Sequence, residues 1–174
     1  MILIGLGANL GFENRSPVQN MERVLELLDS NSSVSVQQIS PWYCTAPVGK
    51  VDQPDYFNGV AALTTRLDPL GLMRLLLETE RRFGRIRGER WGPRTMDLDL
   101  LDFDGRVLDL DEDGVTLHLP HPRLHERAFV LSPLMDVAPD WRHPMTGQGA
   151  GVLLADIGPD QAVRKVTKPG QNRD

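Results

Sequence analysis

Cysteine occurs once in the 174 residues, as Cys44, which excludes an internal disulfide and any zinc site built from paired cysteines and suits a reducing compartment. No apolar run approaches the length a membrane-spanning helix needs, and MILIGLGANLG at the start has no basic leader. Neither insertion nor secretion is expected, and the chain is read as cytoplasmic. Basic residues are not in excess: 19 Lys and Arg against 24 Asp and Glu leave a net charge of -5, which counts against a general nucleic-acid or anionic-membrane surface. Also missing are the P-loop pattern G-x-x-x-x-G-K-[ST] and the protein-kinase lysine and catalytic-loop set. GLGANLG has the spacing G-x-G-x-x-x-G, and its helix begins only near Pro17, too late to seat a pyrophosphate on a helix N-terminus. Chain length favours one domain over residues 1–174, with 170–174 as a frayed tail.

The pattern that is present alternates short apolar strands with two amphipathic helices. Ile2 to Leu6 reads as a strand. Ser16 caps a helix with Pro17 in its first turn and Gln19 in capping-box position, and Val18, Met21, Val24, Leu25 and Leu28 form its apolar stripe. VSVQQIS and FNGVAALTTRL read as the next two strands. Asp68 and Pro69 open a second helix that Gly84 stops, with Met73 and Leu77 on its stripe, and TMDLDLLDF is a fourth strand. Strand, helix, strand, strand, helix, strand is the split βαβ order of ferredoxin-like α+β folds. It predicts an antiparallel sheet with two helices on one face and the later elements covering the other. Those later elements are a hairpin signal at Asp104-Gly105, a turn at Asp113-Gly114, a helix restarted at Ser132-Pro133, a short helix in GVLLADIG and a last strand in AVRKVTK.

The fourth strand poses the chemical question. Asp97 and Asp99 are two residues apart, so both carboxylates share one face of the strand. At ~6 to 7 Å their repulsion is roughly 2 to 3 kcal/mol in a medium of effective dielectric near 20, which calls for a compensating cation. Six arginines, Arg81, Arg82, Arg85, Arg87, Arg90 and Arg94, lie between the second helix and this strand. They could simply pair with Glu78, Glu80, Glu89 and the aspartates. Alternatively they grip a polyphosphate while Mg²⁺ on Asp97 and Asp99 neutralises the rest. Gly84, Gly88 and Gly92 make the arginine segment able to move, and Trp91 within it favours closure onto a ligand. Glu80, near the end of its helix, is either a partly buried acid or an edge residue facing an arginine. His118, His121 and His125 could join the aspartates as ligands, but Pro122 breaks the helix that would align them.

GRIRGERWGPRTMDLDLL, together with GLGANLG, TAPVGKVDQPDYFN and LPHPRLHERAFVLSPL in the same order, resembles the 6-hydroxymethyl-7,8-dihydropterin pyrophosphokinases of folate biosynthesis, over about residues 2 to 140. The resemblance implies transfer of the β,γ-pyrophosphoryl group of ATP to the hydroxymethyl group of the reduced pterin, leaving AMP. It implies two Mg²⁺ ions on Asp97 and Asp99, with Arg85 and Arg94 stabilising the transferred group. Arg87, Arg90 and Trp91 would form a lid over ATP, and Glu80, Leu100, His121 and Arg127 would contact the nucleotide. The pterin would lie between Tyr56 and Phe129, with further contacts from Asn58 and from the loop at Thr45, Ala46 and Val48. The implied partners are small molecules, with neither nucleic acid nor membrane, and nothing demands more than a monomer.

Four departures from the pattern stand out. Ala8 replaces a frequent serine, Ala46 a frequent proline and Leu77 a residue polar in some members, while the stretch between Arg87 and Arg90 is one residue shorter than in some relatives. After Pro139 the resemblance is too loose to carry any residue over. Two other functions remain open at this level: a nucleotidyltransferase, which also places paired aspartates on such a sheet but releases pyrophosphate, and a noncatalytic nucleotide-binding module.

Overall fold

Local signals set the helices. In the computed structural model, which describes residues 1–47, 53–85, 94–159 and 161–166, Ser16 Oγ accepts from Gln19 N and Gln19 Oε1 accepts from Ser16 N at 2.9 Å. That capping box, with Pro17 next, starts α1 (Pro17–Asp29) after β1 (Ile2–Ala8). Asp68 accepts from Gly71 N at 2.6 Å and starts α2 (Pro69–Arg82). The buried stripe of α2 runs through Leu72, Leu76, Thr79 and Glu80. Met73 and Leu77, expected on that stripe, lie half-buried at its edge, because Thr79 and Glu80 rather than another leucine complete the inward face.

The strands are β2 (Val34–Ile39), β3 (Tyr43–Thr45), β4 (Tyr56–Thr65), β5 (Asp97–Phe103), β6 (Leu108–Glu112) and β7 (Val115–Leu119). They are followed by α3 (Ala128–Val137), α4 (Ala150–Asp156) and β8 (Arg164–Lys165). The main sheet runs β5-β1-β4-β3-β8, with β2 also on β4 and every pairing antiparallel. The order β5-β1-β4-β2 is the split βαβ arrangement of the ferredoxin-like fold.

β3 is an element the sequence did not announce. Pro41 interrupts the pattern, yet β2 and β3 lie in succession along one edge of β4, joined where Ser40 N donates to Val60 O and Ser40 Oγ accepts from Val60 N. The side-chain bond replaces a ladder bond lost at the kink.

α1 and α2 cover one face of the sheet over Ile2, Ile4, Leu6, Ala61, Leu63, Leu98 and Leu100. α3 and α4 cover part of the other over Leu3, Val60, Ala62 and Leu101. Helices thus lie on both faces. Asp113-Gly114, with φ of 51 and 73, closes the β6-β7 hairpin as expected. Asp104-Gly105 has the same backbone signature but does not pair β5 with β6. Its amides go instead to Met1 O and to Asp102 Oδ1, and β6 pairs with β7 alone. α3 starts at Ala128, four residues before the expected restart, and carries Pro133 inside it. No side chain of its own N-cap residue marks that start. Among the described residues no helix is long and apolar enough to cross a membrane.

Candidate active site

Two glycines make the floor. On the face shared with α3, β1 presents Leu3, Gly5 and Gly7. Gly5 is in register with Val60 on β4 and Asp99 on β5, and Gly7 with Asn58 and Asp97. α3 packs over Leu3, and beyond it the sheet is bare backbone flanked by an amide on one side and two carboxylates on the other. A Cβ at Gly7 would lie 3.3 Å from Asn58 Oδ1 and 3.8 Å from Asp97 Cβ, so any side chain there fills the space between them. The result is a cavity of about 230 Å³. Its walls, among the described residues, include Thr45, Ala46, Tyr56, Arg94, Arg127, Phe129, Gln161 and Ala162.

Arginines answer part of the charge problem. α2 ends in a Schellman turn: Gly84, at φ 74, donates to Arg81 O, and Arg85 N donates to Glu80 O. A Cβ on Gly84 would also strike the Phe12 ring. The turn brings Arg85 back over its own helix, where it pairs with Glu80 and lies 2.6 Å from Asp97 Oδ1. Arg94 pairs with Asp97 Oδ2. Glu80 is 2% exposed, accepts from Leu98 N at 2.7 Å, and has its carboxyl pushed up to about 7, first by burial and against the pull of that amide and of Arg85. It stands behind Arg85 and does not line the cavity.

Asp99 is less well compensated. Among the described residues its nearest cation is Arg127, at 3.5 Å, while His121 Nε2 lies 3.9 Å away. Burial and the Asp97 charge together hold the Asp99 carboxyl above the ordinary range. Burial, then Arg127, pushes His121 down to about 4, so the imidazole is neutral at pH 7; among the described residues Arg127, then Arg85 and Arg94, offset Asp99.

Most of the residues singled out from sequence fall together. Thr45, Ala46, Tyr56, Asn58, Arg94, Asp97, Asp99, Arg127 and Phe129 line the one cavity, with Arg85 and His121 against its carboxylates. Val48, Arg87, Arg90 and Trp91 lie outside the described residues. Leu100 does not belong to the cavity: it is 2% exposed and packs into the core under α1 and α2, because it alternates with Asp99 and faces the other way. The histidines do not converge either. His118 pairs with Asp109 and His125 stacks edge-on to His143, and among the described residues no group of three metal-ligating side chains forms.

Asn9 was not anticipated. It is 3% exposed, accepts from Arg94 N at 2.8 Å and donates to Pro54 O at 3.2 Å, and its own N–H and that of Leu10 both donate to Arg94 O. One buried amide therefore ties the arginine-bearing segment to the segment ahead of Tyr56. It lies in GLGANLG, where the glycine spacing rather than the asparagine drew attention. Across the cavity, Asn58 donates to Thr45 Oγ1 at 3.2 Å.

Residues 3–139 match the family model described as 7,8-dihydro-6-hydroxymethylpterin-pyrophosphokinase. The chain is 41% identical over 156 residues to the 2-amino-4-hydroxy-6-hydroxymethyldihydropteridine pyrophosphokinase of Synechocystis sp., covering 89% of this chain and 75% of that protein. To the protein of the same name in Pseudomonas aeruginosa it is 42% identical over 154 residues, covering 88% and 90%. Among solved structures, Plasmodium falciparum HPPK-DHPS superposes with a TM-score of 0.64 at 15% identity, over 88% of this chain and 43% of that one, a likeness of fold.

Proposed function

The chain belongs to the 7,8-dihydro-6-hydroxymethylpterin-pyrophosphokinase family, and on that premise we propose that it transfers the β,γ-pyrophosphoryl group of ATP to the hydroxymethyl oxygen of 6-hydroxymethyl-7,8-dihydropterin in folate biosynthesis, releasing AMP. The observation that carries this reading is the row Asn58, Gly7, Asp97, which sets an amide for a heterocycle and a carboxylate for a metal-bound polyphosphate on one glycine floor. A noncatalytic nucleotide module needs no amide and aromatic pair for a second heterocycle.

Each wall then has a task. Tyr56 from β4 and Phe129 from α3 offer aromatic faces to the flat ring, and Asn58 matches its donor and acceptor edge. Thr45 and Ala46 bound the ring's rim. Arg127 and His121 meet the nucleotide's phosphates, His121 as a neutral hydrogen-bond partner. Glu80 acts through Arg85, holding the guanidinium where it reaches Asp97.

Two hard carboxylates on adjacent rows, one of them short of positive charge, suit Mg²⁺, which takes one or two carboxylates and completes its shell with phosphate oxygens and water. Asp97 and Asp99 would hold the two ions. When bound, Mg²⁺ neutralises the polyphosphate and orients it for in-line displacement. Arg85 and Arg94, both paired with Asp97, would reach the transferred group, where charge develops as the Pα–O–Pβ bridge breaks. Arg87, Arg90 and Trp91, outside the described residues, are assigned to the nucleotide by the family resemblance alone.

³¹P NMR of the protein with ATP, Mg²⁺ and the reduced pterin tests the reaction. AMP and a pterin diphosphate are expected. Pyrophosphate would indicate nucleotidyl transfer, ADP a single phosphoryl transfer, and unchanged ATP a binding module; any of the three overturns the assignment.

A further inference from the structure

One side-chain amide grips the backbone on both sides of Arg127. Gln161 Oε1 accepts from Ala128 N at 3.1 Å, and Gln161 Nε2 donates to Glu126 O at 2.9 Å. These are the peptide groups that flank residue 127, and they are reached from a segment beyond residue 139, where the family match ends. The start of α3 needs this help. Its N-cap residue, Arg127, is extended at φ -121 and ψ 107 and makes no side-chain cap, so the Ala128 amide has no local acceptor. Phe129 follows one residue later, and the direction of its ring depends on how that first turn is set.

The segment bearing Gln161 is itself anchored. Arg164 and Lys165 pair with Cys44 and Tyr43 of β3, and Val166 N donates to Trp42 O at 2.8 Å. Lys165 Nζ lies 3.0 Å from Asp136 Oδ1, and the other oxygen of that carboxylate accepts from Tyr43 Oη at 2.6 Å. Residues 161–166 thus run as a strap from the first turn of α3 to β3. Gln161 and Ala162 line the cavity on the way.

We propose that Gln161 is a positioning residue and Ala162 a size-determining residue for the pterin: the strap forms a wall of the pterin pocket and aims Phe129 at the ring. This rests on the pyrophosphokinase reading. A stacked ring tolerates little change of angle, whereas the long side chain of Arg127, drawn to Asp99, adapts to small backbone shifts. Loss of the clamp therefore weakens the pterin more than the nucleotide. A strap that only stabilised the fold would move thermal stability and leave both ligands alone.

The test is fluorescence titration of 6-hydroxymethyl-7,8-dihydropterin into the full chain with Mg²⁺ and α,β-methylene-ATP, whose bridging carbon blocks the bond to be broken. Nucleotide affinity is measured separately. Gln161→Ala should raise the pterin dissociation constant about tenfold and that of the nucleotide by less than about threefold. Gln161→Glu, which keeps the acceptor for Ala128 but sets an oxygen against Glu126 O, should behave like Gln161→Ala. Ala162→Leu should cost pterin affinity at least about tenfold by filling the cavity. Lys165→Ala, which loosens the strap at its far end, should weaken the pterin in the same direction as Gln161→Ala and by less. Wild type that failed to bind the pterin would overturn the functional reading, and this inference with it. Wild type that bound while the Gln161 and Ala162 variants bound equally well, or that lost pterin and nucleotide alike in them, would overturn the inference alone.

Discussion

On one side of the sheet β1 presents Ile2, Ile4, Leu6 and Ala8 to α1 and α2; on the other, one residue out of phase, it presents Leu3, Gly5 and Gly7. The same division runs through β5, where Leu98 and Leu100 face the helices while Asp97 and Asp99 face the cavity. The first face is filled to solvent exclusion, and the second is filled only as far as α3 reaches. Because side chains alternate with period two, a single strand carries a holding surface and a working surface, and each can change with little effect on the other.

Substitutions that test this separation can be ranked by expected effect. Asp97→Ala or Asp99→Ala should lower turnover on the order of 10²- to 10³-fold while leaving the melting temperature within a few degrees of wild type; near-normal steady-state rates would remove the metal assignment. On the opposite face, Leu76→Ala should cost about 2–5 kcal/mol in urea denaturation, yet the molecules that remain folded should turn over normally. A lowered rate per folded molecule would mean the two faces are coupled.

Next in size is a pH effect from Glu80, at the junction of the faces. Its folded carboxyl, at about 7, is above the ordinary 4.5, so between those values the folded state holds a proton that the unfolded chain has lost. Stability from this group is therefore present below 4.5, declines as pH rises toward 7 and is level beyond it. Comparison with Glu80→Gln isolates Glu80 together with its coupling to Asp97 and Asp99. The stability of wild type minus that of Glu80→Gln should fall across that window, and a rising or flat difference would contradict the buried, proton-holding acid. Smallest is Glu78→Ala, which breaks an exposed pair with Arg82 on the outer side of α2. It should change stability by less than about 0.5 kcal/mol and turnover not at all.

Features written in local chemistry were legible in the chain. Ser16 with Gln19 and Asp68 with Pro69 mark helix starts through short-range hydrogen bonds, and the alternation in the DLD strand places its carboxylates together. By the same alternation Leu100, between two same-facing positions, points away from them. Features made by distant chain were not legible. α3 began early because its first amide is capped from Gln161, 33 residues on, and β3 escaped notice because it is only three residues long, follows Pro41, and pairs with β4 across the long connection 46–55 and with the distant β8. The cation sought for Asp97 proved in part to be Arg85 and Arg94, brought there by a Schellman turn and by Asn9. Gly84 signalled the turn, whereas nothing local in Asn9 revealed its partners 44, 45 and 85 residues away.

The most direct measurement is pterin titration into Gly7→Val with Mg²⁺ and α,β-methylene-ATP, alongside its melting curve. A side chain at this position enters the space between Asn58 and Asp97, so the account predicts a cooperative melt close to wild type and pterin binding weakened by at least about tenfold. Pterin bound with wild-type affinity by a folded Gly7→Val protein would contradict the claim that the glycine floor is the working surface.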